Sequence, residues 1–179
     1  MQINVAQLLR EPVGATREYE IDDVVDITSD GKGSRVKGEV KLLRTQRSIL
    51  AECALSTDVE LACSRCLSPF RYPLEVNFQE EFLPTVDLVS GVALPPPEEA
   101  GTFTIDEHHI LDLTEAVRQY ALLAIPMKPL CREDCAGLCP SCGQNLNRGR
   151  CDCPVPSTDP RWSELMKLAS GQISQKETE

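Results

Sequence analysis

Residues 131–153 read CREDCAGLCPSCGQNLNRGRCDC and hold six of the chain's nine cysteines. Two more, Cys63 and Cys66, form a C-x-x-C pair far upstream, and Cys53 stands alone. Eight clustered cysteines are the number that two four-thiolate metal sites require, and zinc is the ion such sites most often hold. Cys139-Pro140-Ser141-Cys142-Gly143 has the form of a tight turn. Pro140 fixes its φ, and Gly143 accepts positive φ at low cost. The chain then passes turn-friendly Asn145, Asn147 and Gly149 and returns to Cys151 and Cys153. We read Cys139, Cys142, Cys151 and Cys153 as one closed site resembling a zinc ribbon, with the C-x-C pair as its less usual half. Cys63, Cys66, Cys131 and Cys135 then form a second site joining the body to the tail. Closing so long a loop with a metal removes conformational entropy from the unfolded chain. Spacing alone leaves other partitions of the eight sulfurs open.

Three rival chemistries use the same residue type. Disulfides require an oxidising compartment, against which stand an odd cysteine count and an opening segment, MQINVAQLLREP, with no apolar signal core. An iron–sulfur cluster also takes thiolates, but the C-P-x-C-G turn and the closed set of eight favour zinc. A redox dithiol at Cys63-Ser64-Arg65-Cys66 would sit at the start of a helix. Here Pro69 follows three residues on, and the flanks LSTDVELA and FRYPLEVNF read as strands.

Outward from the cysteines, the chain reads as β-rich. Val36 and Val40 share one face of an alternating segment over 35–43, with Arg35, Lys37, Glu39 and Lys41 on the other. Ile49, Ala51, Cys53 and Leu55 keep one parity, continued by Val59, Leu61 and Cys63. Cys53 is therefore a core residue behaving as a small apolar side chain. Tyr72, Leu74, Val76 and Phe78 alternate in turn, and Thr16–Ile21 forms an earlier strand. Long strands with short links predict an antiparallel sheet or partly closed barrel, with Cys63–Cys66 at a hairpin tip. Asp112 is placed to cap a helix, with Glu115 completing a capping box. Leu113, Ala116, Val117, Tyr120, Ala121 and Ala124 make its apolar stripe, and Pro126 stops it. Asp159 and Pro160 open a shorter helix through Trp162, Leu165, Met166 and Ala169.

The expected fold class is α+β and β-rich, with one long helix and a C-terminal Cys-rich, zinc-ribbon-like lobe. An antiparallel β body over 1–83 carries the C-x-x-C hairpin, and a Pro/Glu-rich exposed loop spans 84–101. The helix packs on the body within 102–130. The metal lobe is 131–153, and a short helix and disordered tail fill 154–179. With 179 residues and 41% apolar content, this is one domain with an appendage. No apolar run reaches the length of a membrane span, so a cytoplasmic protein is expected.

The net charge of −10 excludes nucleic-acid coating by bulk attraction. The charge is uneven, however. Lys32, Arg35, Lys37, Lys41, Arg44 and Arg47 stand against Glu39 alone over 32–47, a local +5. They are the candidate nucleic-acid contacts, against the plainer reading of a solvated face. Arg65, Arg132, Arg148 and Arg150 read first as compensation for thiolate charge. Asp22, Asp23, Asp26 and Asp30 do not have calcium-loop spacing. His108 and His109 read as surface residues, since eight cysteines already suffice.

Several runs together resemble the large ribosomal RNA subunit accumulation proteins, the YceD-like family. They are CSRCLSPF from Cys63, DLTEAV from Asp112, AIPMKPLCREDC from Ala124, LCPSCGQNLN from Leu138 and the early INVAQLL. The resemblance spans most of the chain. It implies a role in the synthesis, processing or stability of large-subunit ribosomal RNA. It also implies that the Cys63–Cys66 pair is the shared feature and the Cys139–Cys153 site an elaboration. The zinc reading itself rests on ligand count and spacing.

No nucleophile motif, phosphate-binding loop or His with paired carboxylates emerges, and a closed four-cysteine site leaves no position for substrate. The expectation is a non-enzymatic ribosome biogenesis factor with two structural Zn²⁺ ions and no membrane or small-molecule partner. Its partner is a large-subunit rRNA precursor or an assembling ribosomal protein. The alternatives are a zinc-stabilised adaptor for a basic ribosomal protein, or a thiol oxidoreductase at Cys63/Cys66.

Overall fold

The computed structural model describes residues 1–28, 31–88, 90–97, 101–153, 160–162 and 165. Four long strands make its frame: β2 (Thr16–Val25), β3 (Ser34–Arg44), β4 (Ile49–Ala62) and β5 (Pro69–Pro84). Three short strands extend it: β1 (Gln2–Asn4), β6 (Phe103–Ile105) and β7 (Ile110–Asp112). The order across the sheet is β1-β7-β6-β5-β4-β3-β2. Neighbours are antiparallel except β5 and β6, which run parallel through Phe82↔Phe103 to Pro84↔Ile105. That pair departs from the all-antiparallel expectation. The chain leaves β5, turns through 85–97 and comes back beside it in the same direction.

Strand twist curls this sheet into a half-barrel. β1 and β2 are its two edges, yet the Met1 amino group on one edge lies 3.1 Å from an Asp23 carboxylate oxygen on the other. The core fills the concave side. Val36, Val40 and Leu42 from β3 meet Ile49, Ala51, Cys53 and Leu55 from β4 and Val76, Phe78 and Phe82 from β5. The alternation read from the sequence is the alternation of burial. Cys53 is buried among these side chains, and burial pushes its thiol up to about 12.

Two helices cover the curl. α1 (Ala6–Arg10) buries Leu8 and Leu9. α2 (Thr114–Ala124) buries Ala116, Val117 and Ala121, and its Tyr120 ring stacks on Phe78 at 4.3 Å. The Tyr120 hydroxyl donates to Glu80 at 2.7 Å. The expected capping box takes another form. Asp112 closes β7, and its carboxylate accepts from the Thr114 N–H at 2.9 Å. Leu113 is the N-cap, and Glu115 pairs with Arg118 at 2.7 Å. One residue, Leu113, separates strand from helix, and as the N-cap it offers no side-chain acceptor.

Within the expected loop at 84–101, the described residues make a small turn of their own. The Asp87 N–H donates to Val92 O and the Leu94 N–H to Thr85 O, at 2.8 and 2.9 Å. Of the expected C-terminal helix, only Pro160–Trp162, a single 3-10 turn, and residue 165 fall within the described residues.

Candidate metal centre

The β4–β5 hairpin ends at the pair Ala62↔Pro69, and its tip is Cys63–Ser68. There the Leu67 N–H donates to Cys63 O at 2.9 Å and the Cys63 N–H to Ser68 O at 3.0 Å. Leu67 completes the turn with a φ of 57°, a left-handed conformation rare for a branched residue. Its side chain faces solvent, while Cys63 and Cys66 turn inward and are buried. The tail brings Cys131 and Cys135 to the same point. The Cys63 and Cys135 sulfurs lie 3.8 Å apart, those of Cys66 and Cys131 3.7 Å, and all four fall within 4.8 Å of one another.

That spacing tests the fit of a metal. Four thiolates about 2.3 Å from one ion at tetrahedral corners lie roughly 3.8 Å from each other. A multi-iron cluster, by contrast, divides its four thiolates among two or more irons and so spreads them wider. The four sulfurs therefore suit a single tetrahedral ion. Phe70, Leu130 and Leu138 pack around them as a small apolar cluster separate from the main core.

The second group is Cys139, Cys142, Cys151 and Cys153, whose sulfurs also lie within 4.8 Å of one another. Its first half is the turn expected from C-P-S-C-G. The Gly143 N–H donates to Cys139 O at 2.9 Å, with Gly143 at a φ of 73°. The Cys139 N–H donates to Gln144 O at 2.8 Å. The Gln144 amide donates to Arg150 O at 3.2 Å, drawing Cys151 and Cys153 back toward the turn. Cys139 is buried, whereas Cys142 is exposed. Each four-cysteine group can hold one metal ion.

The backbone prepares sulfurs in both groups to be thiolates. Burial raises the Cys63 thiol, but the N–H groups of Cys131, Cys66 and Arg65 outweigh it and hold the thiol at about 6. The N–H groups of Cys142 and Ser141 bring Cys139 to about 6. Burial, and then hydrogen bonding to Cys63, pushes Cys131 up to about 12. Cys153 rises to about 12 chiefly through its hydrogen bond with Cys142. Each group thus pairs a ready thiolate with a thiol that keeps its proton until a cation displaces it.

Two asparagines that read only as turn residues join the groups. The Asn147 amide donates to the Cys135 sulfur at 3.3 Å and to Asn145 Oδ1 at 2.9 Å. Its Oδ1 accepts from the Ala136 N–H at 2.8 Å and from Arg132 at 2.6 Å. The Asn145 amide reaches the hairpin tip, donating to Ser68 Oγ at 3.1 Å. Both asparagines lie in a turn, where the Asn147 N–H also donates to Asn145 Oδ1 at 3.0 Å, and their turn-friendly type was the signal the sequence offered. Arg65 donates to Cys135 O at 3.0 Å, so its charge faces the carbonyls that flank a ligand. Gly137 sits with a φ of 76° where a Cβ would lie 3.2 Å from Arg65 O, so a side chain there would strain the turn and press on the hairpin backbone. The Ser64 N–H donates to Pro129 O at 2.8 Å.

The basic residues over 32–47 divide into two sets. Arg35 makes a bidentate pair with Asp22 at 2.6 and 2.7 Å, and Lys37 lies 3.7 Å from the same carboxylate. Lys41 faces Glu52 at 3.8 Å and Lys32 faces Glu60 at 3.4 Å. These four are matched by acids on β2 and β4 that the sequence stretch does not contain. Arg44 and Arg47 have no carboxylate partner among the described residues. His108 is exposed, and both histidines lie away from the cysteine groups.

Residues 51–169 match the profile of a family described as large ribosomal RNA subunit accumulation protein YceD. The chain is 25% identical to the Arabidopsis thaliana chloroplastic large ribosomal RNA subunit accumulation protein YCED homolog 1. That alignment covers 85% of this chain and 54% of the plant protein. It is 28% identical to the Bacillus subtilis protein YlbN, over 94% of this chain and 96% of YlbN. It is 26% identical to the Mycobacterium tuberculosis protein Rv2926c, over 94% and 81%. No solved structure shows a significant match. Among the described residues, no helix is long and apolar enough to cross a membrane.

Proposed function

We propose a function on one premise: the chain belongs to the family of large ribosomal RNA subunit accumulation proteins, YceD. It acts as a non-enzymatic ribosome biogenesis factor in the cytoplasm, promoting accumulation of large-subunit rRNA by binding precursor RNA. Two zinc ions are structural. Bound by Cys63, Cys66, Cys131 and Cys135, one fixes the tail lobe to the β4–β5 hairpin. The other, on Cys139, Cys142, Cys151 and Cys153, closes the lobe on itself. Four thiolates fill each tetrahedron, which favours a structural role over catalysis.

The observation that carries this reading is the approach of Cys131 and Cys135 to the hairpin tip, with sulfur separations suited to one tetrahedral ion. It supports a metal as part of the fold in a chain whose family is named for rRNA accumulation. Dithiol redox chemistry at Cys63/Cys66 is disfavoured because those sulfurs share their site with two more and are buried.

The experiment is depletion with rescue. Loss of the protein lowers the ratio of large- to small-subunit rRNA. The wild-type chain restores it, and a chain with Cys63 and Cys66 replaced by Ser does not. Capture from a nuclease-treated lysate then separates two modes of action. Release of the captured material supports RNA contact. Retention of a basic ribosomal protein supports the adaptor reading, to which the net charge of −10 gives physical sense.

A further inference from the structure

One concavity in the fold lies far along the chain from the cysteines. It is a cleft of about 870 Å³ between the end of α1, the β3–β4 turn and the segment after β5. Its apolar wall includes Leu83, Val86, Leu94 and the run Pro95-Pro96-Pro97. The same lining includes Arg10, Arg44 and Arg47. Arg10 and Arg47 are exposed, and neither has a carboxylate partner among the described residues. Arg44 donates through Nη1 to Ser48 O at 3.1 Å, while its Nε is buried with no acceptor. Asp87 is the one carboxylate in the lining among the described residues. Its Oδ1 is turned into its own loop, accepting from the Ser90 N–H and hydroxyl at 2.7 Å each. A chain of net charge −10 thus places three guanidinium groups and, among the described residues, one acid around an apolar cleft.

The geometry points to a site for unpaired, single-stranded RNA, with its bases against the leucine and proline wall and its phosphates on Arg10, Arg44 and Arg47. This rests on the RNA-binding reading above and gives it a place. Guanidinium groups match phosphates bidentately and also stack on base faces. A concave apolar slot admits splayed-out bases, whereas a duplex presents only its outer shape. An acidic peptide fits less well. The N–H groups of Thr85, Asp87 and Leu94 are already bonded within the fold, and Pro95–Pro97 have none. An extended peptide would find no row of backbone donors to pair with. The candidate contacts thereby move from Lys32, Arg35, Lys37 and Lys41 to Arg44 and Arg47 at the β3–β4 turn and Arg10 at the end of α1.

The test is fluorescence anisotropy with the full, zinc-loaded chain, using a short labelled oligouridylate and an RNA duplex of equal length. Arg10→Glu combined with Arg47→Glu alters two exposed side chains, and the circular dichroism spectrum checks that the fold survives. We expect wild type to prefer the single strand. The double variant should lose about tenfold or more in affinity and flatten the salt dependence, as loss of two phosphate contacts requires. Lys37→Glu with Lys41→Glu should stay within about twofold. Binding that is unchanged in the arginine variant but lost in the lysine variant overturns the cleft while leaving RNA binding intact. Failure of wild type to bind either RNA at low salt overturns both readings. Displacement of the single strand by oligoglutamate at lower concentration than by unlabelled RNA overturns the choice of ligand.

Discussion

The side-chain amide of Asn147 donates to the sulfur of Cys135 across 3.3 Å, and so ties the turn of one four-cysteine group to a ligand of the other. An N–H directed at a thiolate stabilises its charge and fixes the direction in which it meets a cation. Asn147→Ala removes that donor together with the acceptor used by the Ala136 N–H. We expect the metal at the hairpin site to bind about 10- to 100-fold more weakly. Asn147→Asp should do at least as much damage, because a carboxylate faces the thiolate. Competition with a chromophoric chelator measures both. Equal affinity in all three proteins would remove Asn147 from the site.

The two sites should respond differently to loss of a ligand. Cys63 lies buried at the hairpin tip, whereas Cys142 is exposed in the lobe. Cys142→Ser should lower the stoichiometry by one ion and leave the hairpin site loaded. Cys63→Ser should also release the lobe from the body while the lobe keeps its own ion, so that limited proteolysis cuts between α2 and Cys131 faster than in Cys142→Ser. Equal cleavage rates in the two variants would mean that the hairpin site does not fasten the tail.

Metal binding should release protons. Cys131 and Cys153 hold theirs up to about 12 without a cation, while Cys63 and Cys139 are held at about 6. Binding converts all of them to thiolates, so affinity falls as pH falls and protons regain the sulfurs. The sign is fixed: stability supplied by metal is present at neutral pH and is lost on acidification. Zinc titrations in weakly buffered solution should show acidification near neutrality. A flat pH trace would contradict the thiol assignment.

Gly38 lies in β3 at a φ of 148°, against β4. A Cβ there would run into Ala54 O and come within 2.8 Å of the Leu55 Cα. Both obstacles are backbone and cannot swing aside. Gly38→Ala should cost at least about 2 kcal/mol, read as a lower midpoint in denaturant with metal bound. No shift in the midpoint would show that β3 and β4 can part at this position.

The long strands were legible because each sets one row of side chains into a single core. Val36 with Val40, and Ile49 through Leu55, alternate without interruption, and Cys53 falls in the row. The three-residue strands were not, since β1, β6 and β7 are too short to show a period and owe their pairing to the curl of the sheet. Asp112 illustrates the limit. Its type and position suggest a cap, and it does bond the Thr114 N–H, but its backbone belongs to a strand. The C-x-x-C turns Cys63–Cys66 and Cys139–Cys142 were legible as pairs that can each present two sulfurs to one ion, but spacing left open which partners complete them, and the folded chain brings Cys131 and Cys135 to the first and Cys151 and Cys153 to the second. The link between groups was not legible, because Asn145 and Asn147 act through amides whose targets, Ser68 and Cys135, are settled only once the lobe has closed. Likewise the basic stretch at 32–47 looked uncompensated, because Asp22, Glu52 and Glu60 lie on the neighbouring strands.

The most direct measurement is elemental analysis of the intact chain purified without added metal, paired with its absorption spectrum. Two zinc ions per chain and no visible band are predicted. Folded protein carrying no metal, or a coloured protein carrying iron, would contradict the account.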